Sequence, residues 1–155
     1  RVLFRSLANA GLGSASQLCG TLLQASLGIG LTAITFRGSG PVYPEMIGGR
    51  IDIYCDQTTS AIPFIQARSV KAMAVTTPAP MAQLPGVPTA GQAGLPGFEV
   101  AIWHGLYAPR GTNPELVTRL SGALQAALRD PGLIRRFGEL GTEPVPQAKA
   151  TPAAR

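Results

Sequence analysis

Leu31-Thr32-Ala33-Ile34-Thr35-Phe36-Arg37-Gly38-Ser39-Gly40-Pro41 is the stretch that decides the fold. Its first six residues are largely β-branched or apolar, which suits extended backbone, and the glycines, serine and proline after them impose a turn. A strand is therefore expected over 31–36. Before it, Leu18, Leu22 and Leu23 share a helical face, with Gly28 as a stop. After it, a short helix is expected around Val42 to Ile47, ending at Gly48-Gly49. Ile51-Asp52-Ile53-Tyr54-Cys55 then alternates as a strand and delivers Asp56 at its C-terminal end. A helix from Ser60 to Ala67 and a strand Lys71-Ala72-Met73-Ala74-Val75-Thr76 continue the series. Such alternation requires crossover connections and predicts an α/β sheet with mostly parallel strands.

Beyond Thr76 the pattern changes. Proline and glycine crowd the segment from Thr77 to Gly97, an irregular length that is usually functional or a crossing between lobes. Phe98 to Pro109 reads as strand-like and contains Trp103, His104 and Tyr107. Thr112-Asn113-Pro114-Glu115 reads as a capping box for a helix carrying Leu116, Leu120, Leu124 and Leu128. Asp130-Pro131-Gly132 ends that helix, and Leu133, Ile134, Phe137 and Leu140 form a second, stopped by Gly141.

Composition removes several function classes. With 45% apolar and 14% charged residues, the 155-residue chain can bury a core. No apolar run approaches the roughly 20 residues of a membrane-spanning helix. The net charge of +5 comes mostly from arginines scattered from Arg1 to Arg155, with only Arg135-Arg136 adjacent. A nucleic-acid binder gathers such charge on one face, so no nucleic-acid partner is expected. The chain opens at Arg1 without methionine or a signal pattern, and is expected to be a fragment. Cys19 and Cys55 lack metal or redox spacing and read as small buried hydrophobes; a disulfide between them is the alternative should the protein be exported.

The chemistry concentrates in loops at the carboxyl ends of strands, where open α/β sheets bind ligands. These loops are Gly11 to Ser16, Arg37 to Pro41, and Asp56 to Ser60. In the first, Gly13, Ser14 and Ser16 sit against the start of a helix, whose unbonded amides and dipole favour an anion. A plain serine N-cap is the competing reading. Asp56 suits either a ligand-facing acceptor or a cap for the next helix, and Arg37 either a carboxylate partner or an exposed turn residue. No catalytic constellation is present. His104 is the sole histidine, no G-x-S-x-G elbow or phosphate loop occurs, and no metal or cofactor is expected. Gly11-Leu12-Gly13 begins a dinucleotide fingerprint, but Ser16 holds the third glycine's place and Ile34-Thr35-Phe36 lacks an acidic end. A Rossmann-like nucleotide-binding enzyme is the alternative class.

The series from Gly11 to Leu18, then Phe36-Arg37-Gly38-Ser39-Gly40-Pro41, then Gly48-Gly49-Arg50-Ile51-Asp52 leading to Asp56, resembles the tripartite tricarboxylate transporter receptors, the Bug-type periplasmic solute-binding proteins. The likeness continues through Lys71–Thr76, Leu84-Pro85-Gly86-Val87-Pro88-Thr89, Gly94-Leu95-Pro96-Gly97-Phe98-Glu99 and Trp103-His104-Gly105-Leu106-Tyr107-Ala108-Pro109, from about Asn9 to Val145. It implies a periplasmic-binding-protein-like α/β fold with one nearly complete lobe and part of another. Residues 1–100 would be the ligand-binding lobe, the second of the family's two. Residues 101–155 would be the crossing and truncated elements of the first, with Arg1 to Ser6 matching poorly. It also implies no enzyme, but an extracytoplasmic receptor that captures a small carboxylate and hands it to a membrane permease. Carried over residue by residue, Gly13, Ser14 and Ser16 meet the ligand carboxylate and Asp56 orients it, with both serine hydroxyls dispensable for stability. Gln17 stands where many relatives have histidine, and Trp103 is expected to pack in the core.

Overall fold

The computed structural model describes residues 5–152, so of the stretch Arg1 to Ser6 only Arg5 and Ser6 are described, and residues 153–155 lie outside. The described residues form two compact units that divide between Ile102 and Trp103.

The first unit is built on a parallel sheet. Strand β1 (Ser6–Asn9) is followed by α1 (Ala15–Leu27), β2 (Thr32–Thr35), α2 (Val42–Ile47), β3 (Ile53–Tyr54) and α3 (Thr58–Gln66). The strand order is β2-β1-β3, with Ser6 opposite Thr32 and Asn9 opposite Thr35 on one side of β1, and Leu7 opposite Ile53 on the other. The central strand is one the sequence pattern passed over. All four of its residues are buried, so Ser6-Leu7-Ala8-Asn9 shows no polar-apolar alternation. Ser6 is thus integral to the sheet rather than a poorly matching start. Its amide and hydroxyl both donate to Asp52 Oδ2, at 2.9 and 2.8 Å, and its oxygen accepts from the Asp52 amide.

Helix α1 lies close on β1 because Gly20 carries no side chain. A Cβ there would stand 2.7 Å from Leu7 Cδ2. The helix ends at Gly28 in the left-handed conformation, where the amides of Gly28 and Ile29 bond to Ala25 and Gln24. Ala8, Val42 and Ile51 form one core cluster with Ile34, Phe36, Met46 and Tyr54 around it. A second gathers Ile62, Val75 and Leu84.

Three expectations need correction. Lys71 to Thr76 does not join the sheet; only Val75 pairs, in a single parallel bridge with Thr89. An extended segment becomes a strand only where a neighbour supplies a ladder, and the described residues offer this one no more. Phe98 to Pro109 likewise forms no strand, although Thr76 bonds to Val100 through both its backbone and its hydroxyl. Cys19 and Cys55 are not separate buried hydrophobes but close a disulfide, their Cα atoms 6.1 Å apart. The proline-rich segment is ordered by burial of Leu84, Thr89 and Ala90.

The second unit contains α4 (Pro114–Ala127), α5 (Pro131–Glu139) and a short 3-10 turn. Asn113, not Thr112, caps α4, its side chain accepting from Glu115; α4 ends just before Asp130, which bonds back to Ala127 and also caps α5. Neither helix has a buried residue. Trp103 is 75% exposed, so it is not a core residue here. Among the described residues no helix is long and apolar enough to cross a membrane.

Candidate functional site

The three loops expected to carry the chemistry meet at the carboxyl end of the sheet. Gly38 donates to the Ala10 carbonyl at 2.9 Å, joining the first loop to the second, and Ser39 Oγ donates to Asp56 Oδ1 at 3.2 Å, joining the second to the third. The join follows from parallel register, since adjacent strands then end side by side.

In the first loop Gly13 has φ +74°, a backbone conformation that a side chain disfavours. Ser14 is the N-cap of α1, its Oγ accepting from the Gln17 amide at 3.2 Å. The cap reading and the ligand-loop reading therefore share one residue. Gln17 closes the loop from the other side, its Oε1 accepting from the Gly13 amide at 2.6 Å. Ser16 is buried, and its oxygen accepts from Ala10 at 2.8 Å. Asn9, buried just before the loop, accepts from Gly11 and donates to Thr35.

Counting protons shows what the loop can offer. A serine hydroxyl has one proton and two lone pairs. Ser14 spends its proton on the Gly11 carbonyl at 2.7 Å, so the 2.9 Å contact between Ser14 and Ser16 has Ser16 as donor. Both hydroxyl protons are thus used inside the loop. Ala15 and Ser16, in the first turn of the helix, have no intrahelical acceptor for their amides. The donors suited to an anion are these amides, framed by the serines.

Asp56 is not a helix cap: Gln57 occupies that position, without a side-chain capping bond. Instead the Asp56 carboxylate gathers a polar cluster that sequence reasoning missed. Tyr43 donates to Oδ2 at 2.7 Å, and Ser39, which serves Oδ1, lies 2.7 Å from the Tyr54 hydroxyl. The Tyr43 ring stacks on Phe64 with centroids 3.9 Å apart. Burial drives the Tyr43 phenol far above its ordinary range, and the bond to Asp56 and the charge there add to the rise. Burial also raises Tyr54, opposed by the Ser39 hydroxyl and reinforced by the Asp56 charge. The available signal was Tyr54 itself, a polar aromatic two residues before Asp56 in an apolar run. Arg37 is exposed at the turn. A cavity of about 400 Å³ between Leu22, Ser26 and residues 94–100 includes none of these groups.

Comparison with known proteins gives consistent findings. The family model described as "Tripartite tricarboxylate transporter family receptor" matches residues 5–152. A protein of Agrobacterium vitis, the UPF0065 protein in the TAR-I ttuE-ttuC' intergenic region, is 50% identical over 145 residues, which cover 94% of this chain and 42% of that one. The structure of the periplasmic binding protein BugD superposes with a TM-score of 0.92 at 44% identity, over 97% of this chain and 50% of its own. MatC from Rhodopseudomonas palustris, solved with bound malate, gives 0.92 at 35% identity, over 97% and 51%. The chain therefore spans about half the length of these relatives or less.

Proposed function

Because the chain belongs to the tripartite tricarboxylate transporter receptor family, we propose that it forms the ligand-gripping part of a periplasmic receptor that binds a small carboxylate and delivers it to a membrane permease. The observation that carries this reading is the Gly13–Ser16 loop. It is a glycine-shaped, serine-capped start to a 13-residue helix, set at the carboxyl end of the central parallel strand. The amides of Ala15 and Ser16 hold the carboxylate, while Gly13, Ser14 and Ser16 shape the loop and Asp56 orders the side facing it. The unit ending at Ile102 is the binding lobe, and residues 101–155 belong to the crossing and to elements of the other lobe. The protein is a binder rather than an enzyme. Malate bound to MatC supports a short dicarboxylate as the ligand, and the Cys19–Cys55 disulfide suits an oxidising, extracytoplasmic compartment.

The nucleotide-binding enzyme is not favoured, since Ser16 replaces the third glycine and β2 ends without an acid. Calorimetric titration with malate and other short dicarboxylates, and separately with NAD and ATP, tests the proposal. Carboxylate binding with no nucleotide binding is expected. Tight nucleotide binding without carboxylate binding would overturn it.

A further inference from the structure

Asn9 places an amide where the central strand otherwise buries apolar groups. It ends β1, follows the fully buried Ala8, and is itself 3% exposed. A buried amide is costly unless its oxygen and its nitrogen both find partners. Here each has one. Oδ1 accepts from the Gly11 amide at 3.1 Å, and Nδ2 donates to Thr35 Oγ1 at 3.1 Å. The side chain cannot be turned over, because a backbone N–H only donates and so must face the oxygen. Thr35 stands opposite Asn9 in the parallel ladder, so β2 fixes the sense of the Asn9 amide and Asn9 in turn fixes Gly11.

Gly11 passes this hold to the helix. Its φ of +138° is one that a side chain disfavours. Its amide is engaged by Asn9, and its carbonyl accepts from both the Ser14 amide at 3.2 Å and the Ser14 hydroxyl at 2.7 Å. Ser14 caps α1, and the Ala10 amide beside it donates to Ser16 at 2.8 Å. Each step from Thr35 to the first turn of α1 is thus a direct hydrogen bond. We propose that Asn9 is the positioning residue of the anion loop. Held by Thr35, it sets the Gly11 peptide and, through Ser14, aims the Ala15 and Ser16 amides at the ligand carboxylate. Its burial leaves almost no surface for the ligand itself, which makes it a strut rather than a contact.

Its effect on binding rests on the carboxylate-receptor reading, while its hold on the loop is read in the unliganded chain. In nitrogen-15 NMR, Asn9→Ala should displace the backbone amide resonances of Gly11, Ala15 and Ser16. Malate titration should show affinity falling about ten-fold, the loss of one directed hydrogen bond. Thr35→Val, which takes away the acceptor for Nδ2, should weaken malate binding in the same direction, and Thr35→Ser, which keeps the hydroxyl, should restore it. These two variants carry the test should Asn9→Ala fail to fold. In the Asn9→Ala background Thr35→Val should cost nothing further, since the two residues act in series. Ile62→Val, a truncation in the second core cluster, should lower stability and leave malate affinity unchanged. Unaltered affinity in Asn9→Ala and Thr35→Val would overturn the proposal, as would an equal loss in Ile62→Val. Weakened binding with the Ala15 and Ser16 resonances unmoved would overturn the positioning role and make Asn9 a direct contact. A further loss from Thr35→Val in the Asn9→Ala background would overturn the series and put Thr35 on the ligand. Failure of the unaltered chain to bind any short dicarboxylate would overturn the receptor reading and the effect on binding, while the resonances would still decide the hold on the loop.

Discussion

Ser14 carries two duties that sequence alone separates poorly. As N-cap it satisfies one orphan amide of α1, and as a loop residue it holds Gly11 and receives Ser16. Its loss therefore cannot spare the fold, contrary to the expectation from sequence. Replacing an N-cap serine with alanine costs about 1 kcal/mol. Ser14→Ala should lower the urea midpoint accordingly, with the slope unchanged, and should also weaken dicarboxylate binding. Ser14→Asp would restore the cap but place a negative charge where an anion is to bind. Recovery of stability without recovery of affinity is the expected result, and recovery of both would show the loop to be a cap only. Asp56 was legible as a polar residue at a strand end, but its partners were not. Tyr43 lies 13 positions away in helix α2, and only the parallel register brings it to the carboxylate.

At the scale of elements, the legible parts were those with a local signature. β2 begins and ends within a residue or two of the β-branched run, and α2 lies where the turn and glycines placed it. β1 was missed because a short strand buried on both faces shows neither alternation nor a turn signal at both ends. Lys71 to Thr76 failed in the opposite way: its composition suits a strand, but a ladder needs a neighbour. The packing of α1 on β1 gives a measurable check. In an isolated helix Gly20→Ala would gain about 1 kcal/mol. Here the new methyl meets Leu7, itself 4% exposed and hemmed in by the sheet, and overpacking costs roughly 1–3 kcal/mol. Gly20→Ala should therefore destabilise the fold by about 1 kcal/mol in denaturant unfolding. Adding Leu7→Val should recover part of that loss. Stabilisation by Gly20→Ala alone would mean that the contact relaxes freely.

For the molecule as a whole, pH acts through two kinds of group with opposite signs. Backbone donation by Arg5, with the hydroxyl and amide of Ser6, lowers the Asp52 carboxyl, and Arg50 lowers Glu45. Their stabilisation is present above the ordinary carboxylate range and is lost as pH falls through the lowered values, below about 4. Tyr43 and Tyr54 are raised, so their contribution is complete below the ordinary phenol value and is lost as pH rises above about 10. Urea midpoints should form a plateau between these limits and fall on both sides. Added salt should weaken the exposed Glu45–Arg50 pair while sparing the hydrogen bonds to Asp52, and Asp52→Asn should flatten the acid limb; an acid limb unaltered in that variant would remove Asp52 from the account. The bond between Cys19 and Cys55 has a different kind of consequence. It joins residues 36 positions apart and encloses most of α1 with β2, α2 and β3, a constraint worth about 4 kcal/mol on the chain-entropy estimate. That is a large share of the roughly 5–15 kcal/mol by which domains are held folded. A thiol-rich compartment would withhold the bond and an oxidising one would supply it. The same polypeptide would then be loosely held when reduced and firmly held when oxidised.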